Sequence, residues 1–197
     1  MKTVFVTVGT TSFDELIESI TSSEATQALK ARGYERLVLQ VGRGSVLPAA
    51  DSCPHIRLEA FRFKNSIAED ISQADLVISH AGAGSCLEAL GAGKSLLVVV
   101  NDKLMDNHQL ELARQLHMDS HLLYCTCRYV LLHRTHMQLI HVRIISQIEV
   151  TAVCLWMKCF STLTETLRTM DLSVLQPFPP GQPKKFADFM DKALGIK

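Results

Sequence analysis

One stretch constrains this chain more than any other, Leu76 to Gln109, which reads LVISHAGAGSCLEALGAGKSLLVVVNDKLMDNHQ. Leu76-Val77-Ile78-Ser79 is a short apolar run that follows the polar Gln73-Ala74-Asp75. That is the pattern of a strand buried on both faces of a parallel sheet. His80-Ala81-Gly82-Ala83-Gly84 is a turn of small residues, and Ser85 stands where its hydroxyl can cap the helix that follows. Cys86 to Ala92 is helical in pattern, with Leu87 and Leu90 on one face and Gly93 as the C-terminal stop. Leu96 to Val100 is a second buried strand. In a strand, glycine turn, helix and parallel strand, the free amides of the helix start face the turn, and glycine lets a ligand approach the backbone. A diphosphate suits such a cradle. The helix dipole alone contributes only about 0.3–1 kcal/mol, so several amides and side chains have to share the anion.

Two common phosphate loops do not fit these letters. A dinucleotide fingerprint needs a third glycine, but Gly82-x-Gly84-x-x is followed by Leu87, and the loop lies well beyond the first strand. Gly93-Lys94-Ser95 resembles the tail of a P-loop. Its leading glycine would fall on Glu88, and the triplet ends a helix instead of starting one.

The rest of the chain extends the same pattern. Lys2 to Val8 reads as a strand of β-favouring residues, followed by the turn Gly9-Thr10-Thr11-Ser12 and a helix through Leu16, Ile17 and Ile20. Gly9 and Thr10 are candidates to face the crevice at the carboxyl ends of the strands and touch phosphate; an ordinary capped turn is the alternative. Gly33 ends a helical region, and Arg36 to Val41 is a strand leading to Gly42-Arg43-Gly44-Ser45. Arg43 is either a phosphate contact or a solvated loop cation. Ile56 to Phe63 alternates as a partly exposed strand, and its Phe61-Arg62-Phe63-Lys64 turn is a candidate base contact. Ser66 to Ala74 is a short helix. A further helix runs through Leu110, Leu112, Ala113 and Leu116, before a strand at His121 to Cys125. Repeated βαβ units of this kind predict an α/β fold, a Rossmann-like open, mostly parallel sheet with helices on both faces.

Composition narrows the class. Of 197 residues, 20 are Lys or Arg and 20 are Asp or Glu, a balance that argues against a nucleic-acid-binding protein. The apolar runs predict neither a secretory signal nor a transmembrane segment. The scattered cysteines read as reduced thiols, because Cys125-Thr126-Cys127 lacks a second pair at zinc spacing. No metal and no cofactor is expected.

His80, Ser85, Glu88 and Gly93 together resemble the donor-binding signature of GT-B glycosyltransferases that use UDP-sugars. The resemblance implies that the segment His80, Gly82, Ala83, Gly84 and Ser85 binds the donor diphosphate, that Glu88 binds the ribose and that Asn107-His108-Gln109 holds the sugar. A carboxylate suits a ribose diol because it accepts from two neighbouring hydroxyls. A solvated glutamate at position 88 and a core histidine at position 80 remain the structural alternatives. Met1 to Thr11, Ser79 to Ser85 and Asn107 to Gln109 also look very like the donor-binding subunits of the two-subunit UDP-N-acetylglucosamine transferases of asparagine-linked glycosylation. This resemblance covers residues 1–127 and about 161–197. It implies an inverting transfer of N-acetylglucosamine from UDP-N-acetylglucosamine to dolichyl-diphosphate-N-acetylglucosamine, at the cytosolic face of the endoplasmic reticulum. GT-B enzymes have two Rossmann-like halves with the active site between them. The acceptor half and the membrane anchor are therefore expected from a partner subunit, and the general base is unassigned.

The resemblance breaks at 128–160, an apolar, β-branched segment interrupted by Arg128, Arg134, Arg143, Glu149 and Lys158. Those charges leave runs too short to span a bilayer. The implied organisation is a sugar-nucleotide domain at 1–127, an insertion at 128–160, and completion of the domain with a partner-docking helix at 161–197. That helix would present Phe186, Phe189, Met190 and Leu194 on one stripe. The competing expectation is a non-catalytic sugar-nucleotide-binding or partner-binding form, inactivated by the insertion.

Overall fold

The computed structural model describes residues 1–101, 107–127 and 162–180, with backbone alone at 107–111. The expected 128–160 insertion and the stripe Phe186, Phe189, Met190 and Leu194 lie outside the described residues.

The first strand, β1 (Lys2–Thr7), is followed by α1 (Asp14–Thr21), α2 (Ser23–Ala31), β2 (Tyr34–Gln40), β3 (Arg57–Phe61) and α3 (Ala68–Gln73). The chain continues through β4 (Leu76–His80), α4 (Ala83–Gly91), β5 (Leu96–Val100), α5 (Asn107–Met118), β6 (Leu123–Thr126) and α6 (Leu163–Thr169). The strands form one six-stranded sheet in the order β3-β2-β1-β4-β5-β6. Every pairing in it is parallel, where a mostly parallel sheet was expected.

Strand pleating divides the core. On one face Val4, Val6 and Val8 pack with Leu16, Ile17 and Ile20 of α1, Leu29 of α2, and Leu163 and Leu167 of α6. On the other, Phe5, Val77 and Val98 pack with Ile71 of α3, Leu90 of α4 and Leu116 of α5. Because both faces are covered, β5 and the first three residues of β4 are continuous apolar runs.

The helical region before Gly33 divides at Ser22. That residue leaves helical geometry at φ −59°, ψ 152° and caps α2, its hydroxyl accepting from the Ala25 amide at 3.2 Å. The expected Leu87–Leu90 face of α4 is corrected. Leu87 is 47% exposed, and the core face is Cys86, Ala89 and Leu90. The helix starts at Ala83, ahead of the expected Cys86, and its small residues allow close approach to the sheet.

α6 closes the first face. Thr162 makes a parallel bridge to Thr126, and its hydroxyl caps the helix by accepting from the Glu165 amide at 3.3 Å. Arg32 at the end of α2 donates to the Met170 carbonyl at 2.5 Å. Leu163 and Leu167 are fully buried beneath α1 and α2. Leu167→Ala is expected to destabilise the protein by about 2–5 kcal/mol, the usual range for a buried leucine truncation. Urea denaturation compared with the parent chain measures this.

Candidate functional site

The sheet reverses its winding between β1 and β4, since β2 and β3 lie to one side of β1 and β4, β5 and β6 to the other. Loops leaving the carboxyl ends of β1 and β4 therefore diverge, and an open α/β sheet takes its ligands in that crevice. A cavity of about 470 Å³ lies there. It is lined by Gly9 to Thr11 after β1, Gln40 at the end of β2, Lys64 to Ile67 before α3, and residues from His80 to Glu88.

α4 points its first turn into the cavity. Its N-cap is Gly82, with no side-chain cap, so the expected capping role of Ser85 is corrected. Ser85 is already the third helical residue, and a serine there cannot reach back as an N-cap does. The amides of Ala83, Gly84 and Ser85 have no acceptor within their own helix. Gly84 and Ser85 line the cavity, whereas Ala83, the exposed first residue of the helix, does not. A Cβ on Gly84 would meet nothing within 4 Å. The backbone there is open to a ligand. Glu88, exposed and further along α4, also faces the cavity.

The glycines at 9 and 82 answer to a different neighbour. His80 ends β4 with its Nδ1 3.3 Å from the Thr7 carbonyl. A Cβ on Gly9 would lie 2.9 Å from His80 Cε1, and one on Gly82 would collide with Nε2. Gly9 also has φ +61°, the left-handed region that glycine accepts without strain. The imidazole is thus wedged between two loops that can approach it because they lack side chains. Burial pushes its pKa below the ordinary 6.5, against the opposing hydrogen bond to Thr7. The carbonyl partner assigns the ring proton of the neutral form to Nδ1 and leaves Nε2 as an acceptor.

Two further polar side chains were not anticipated. Thr7 is fully buried, its hydroxyl accepting from the Gly9 amide at 2.9 Å and donating to Gln40 Oε1 at 2.5 Å. Single polar residues at the tips of apolar strands were the available signal. The loop before α3 was anticipated only through Lys64. Its ammonium sits 4.1 Å above the Phe61 ring and is paired with Asp70 at 2.7 Å. Phe63 is half exposed.

Arg43 is exposed and does not line the cavity. Its glycine turn is instead held by neighbours. Asp14 accepts from the Ser45 amide at 3.0 Å and from the Ser45 hydroxyl at 2.5 Å, and Arg62 donates to the Gly44 carbonyl at 2.6 Å. Asn107, His108 and Gln109 form the start of α5, and their side chains lie outside the described residues. Among the described residues, no cluster of potential metal ligands occurs and no helix is long and apolar enough to cross a membrane. Cys53, Cys86 and Cys125 are buried thiols, and burial raises Cys86 to about 11 and Cys125 to about 12.

Residues 3–131 match the glycosyltransferase family 28 C-terminal domain. The chain belongs to that family. The family 28 chain is 60% identical over 128 residues to the UDP-N-acetylglucosamine transferase subunit ALG13 of Homo sapiens, covering 65% of itself and 11% of that protein. It is 41% identical over 125 residues to the subunit of that name from Yarrowia lipolytica, covering 62% of itself and 64% of the relative. A solution NMR structure of ALG13 superposes with a TM-score of 0.54 at 26% identity, over 95% of this chain and 94% of that one. The sheet and its helices are thus those of a GT-B glycosyltransferase's C-terminal, Rossmann-like half. The family 28 chain spans only 11% of the length of the human protein.

The two cradle glycines separate in their effects on folding. Gly82→Ala is expected to lower stability by about 1–3 kcal/mol through collision with His80. Gly84→Ala is expected to raise it by about 0.5–1 kcal/mol, as for an alanine placed in a helix. Thermal unfolding of both variants gives the comparison.

His80 predicts a pH dependence. Its folded pKa lies below the unfolded one, so its contribution is present above the ordinary value and is lost as pH falls through the folded value. Stability is expected to drop more between about pH 7 and about pH 5 in the parent chain than in His80→Gln. Denaturant midpoints across that range measure the difference.

Proposed function

We propose that this chain is the donor-binding half of a split UDP-N-acetylglucosamine transferase. In this reading it transfers N-acetylglucosamine to dolichyl-diphosphate-N-acetylglucosamine in the lipid-linked pathway of protein N-glycosylation. The observation that carries the proposal is the cavity at the β1/β4 switch point, where the unoccupied amides of α4, the Gly9 turn and Glu88 face one volume. The names of the relatives at 60% and 41% identity supply the sugar nucleotide and the word subunit.

In the proposed mechanism the donor diphosphate lies against Gly82, Ala83, Gly84 and Ser85 at the start of α4, on the open amides of Gly84 and Ser85, with Gly9, Thr10 and His80 beside it. Glu88 accepts from the ribose hydroxyls, and Asn107, His108 and Gln109 hold the sugar. The acceptor hydroxyl attacks the anomeric carbon, the bond from that carbon to the diphosphate oxygen breaks, and UDP leaves with inversion. Fixed amides are already aimed at the departing diphosphate, so they stabilise its growing charge with little reorganisation. That role needs no metal in the proposal. The family match covers a single Rossmann-like half, so the acceptor site and the membrane anchor are assigned to a partner subunit, and the general base is left unassigned. Residues 128–160 are an insertion in this reading, and the helix with Phe186, Phe189, Met190 and Leu194 docks the partner. The complex would sit at the cytosolic face of the endoplasmic reticulum.

His80 makes donor binding proton-linked. With Nδ1 donating to Thr7, Nε2 can donate to a phosphate oxygen only after gaining a proton. UDP affinity is therefore expected to rise as pH falls from about 8 to about 6, and His80→Gln to flatten the profile. Titration calorimetry in buffers of different ionisation enthalpy measures the proton uptake.

The decisive assay is transfer from UDP-N-acetylglucosamine to a dolichyl-diphosphate-N-acetylglucosamine analogue, with this chain, with partner membranes, and with both. Product only in the mixture, insensitive to a chelator and reduced at least about 10-fold by Glu88→Ala, is the expected result. No product from the mixture, with a chain lacking 128–160 active beside it, would make this form an inactive donor-binding variant.

A further inference from the structure

We propose that the side-chain amide of Gln40 is a specificity-determining donor at the floor of the crevice, giving an N–H to an oxygen of the nucleoside half of the bound nucleoside diphosphate. The inference rests on the donor-binding reading above and adds a residue to it.

Gln40 closes an apolar strand and is only 5% exposed. A glutamine in that position must satisfy an oxygen and an NH2 group. Its oxygen is accounted for, because it accepts from the Thr7 hydroxyl. The amide could not be turned the other way without loss. The Thr7 oxygen already accepts from the Gly9 amide, and its single O–H then needs an acceptor, which Gln40 Oε1 provides. The nitrogen makes no hydrogen bond to another described residue, yet no fully enclosed side-chain nitrogen or oxygen among the described residues lacks a partner. Nε2 is therefore the part of the side chain that opens to the cavity, which Gln40 lines. A buried amide nitrogen with two donors, fixed in orientation and facing an empty volume, is arranged for a ligand oxygen or a water standing in its place.

The strand order decides which part of the ligand it meets. Along the carboxyl edge of the sheet run β3, β2, β1 and β4. The amide cradle, Gly9 and His80 belong to the loops after β1 and β4, so the diphosphate lies over that pair. Lys64 to Ile67, beyond β3, form the opposite wall. Gln40 ends the strand between them, paired in register with Thr7 on one side and Phe61 on the other. What lies above it is the portion of the nucleotide between the phosphates and that wall, the nucleoside. Its carbonyl and sugar oxygens are acceptors, and the amide presents only donors. The bonds Gly9 N–H to Thr7, Thr7 O–H to Gln40 and Gln40 N–H to ligand run in one direction, so each polarises the next.

The test uses the full chain with UDP, uridine 5′-monophosphate and inorganic diphosphate as separate probes. In the parent protein the Gln40 side-chain NH2 resonances are expected to shift on adding UDP or the monophosphate, and to stay in place with inorganic diphosphate. Gln40→Met, similar in volume and uncharged, is expected to weaken both nucleotides about 10-fold and to leave inorganic diphosphate within about 2-fold. A general structural defect would weaken all three alike. If UDP binds the parent chain but neither moves the Gln40 amide nor loses affinity in Gln40→Met, this inference is wrong and the donor-binding reading stands. Movement of the amide with inorganic diphosphate alone would place the contact on phosphate and overturn the nucleoside assignment. Failure of the parent chain to bind UDP at all would instead remove the donor-binding reading.

Discussion

The reversal of winding between β1 and β4 is the constraint on which the rest of the molecule depends. Parallel strands joined by right-handed crossovers must place helices on both faces of the sheet. Only where the direction of travel reverses do two neighbouring loops turn away from each other. That divergence leaves a gap at the middle of the sheet edge, and the gap is where backbone amides converge without filling the space themselves. His80 holds the base of the gap together by bonding the end of β4 to the Thr7 carbonyl of β1. The absence of side chains at positions 9 and 82 is the steric consequence of placing an imidazole there.

How far the sequence could be read follows from how each feature is encoded. β4, α4 and β5 were legible because burial on both faces makes a parallel strand an unbroken apolar run, and the switch to helical spacing at the glycine turn marks the crossover. The start of α4 was placed late. The serine signal for an N-cap is chemical, whereas Gly82 performs the role through backbone geometry alone. In the sequence the cradle glycines look alike, as room for a ligand to approach the backbone. Gly84 has open space where its Cβ would be, whereas Gly82, like Gly9 in the first turn, makes room for His80. Thr7 and Gln40 escaped notice because their meeting depends on strand register, which joins residues far apart in the chain.

Loops around the crevice are tied down before any ligand arrives. Asp14, at the start of α1, and Arg62, beyond β3, both grip the turn that follows β2. Hydrogen bonding to Ser45 holds the Asp14 carboxyl below its usual range, so it is ionised while it does so. Elements that leave three different strands are thus fixed relative to one another by side-chain to backbone bonds. A ligand entering such a site has less conformational freedom to remove from the protein, and more of its contact energy appears as affinity.

The bridge between Thr126 and Thr162 has a topological consequence. It sets Thr126 and Thr162 at adjacent positions at the sheet edge, so the chain leaves the sheet and returns to it at one place. The entropy of closing a flexible loop grows only logarithmically, with each doubling of length costing about 0.6 kcal/mol. Adding residues between Thr126 and Thr162 therefore leaves the entry and exit points of the chain unmoved and changes the folding equilibrium little through the loop itself. Length at that junction is weighed by loop entropy and not by the register of the core strands.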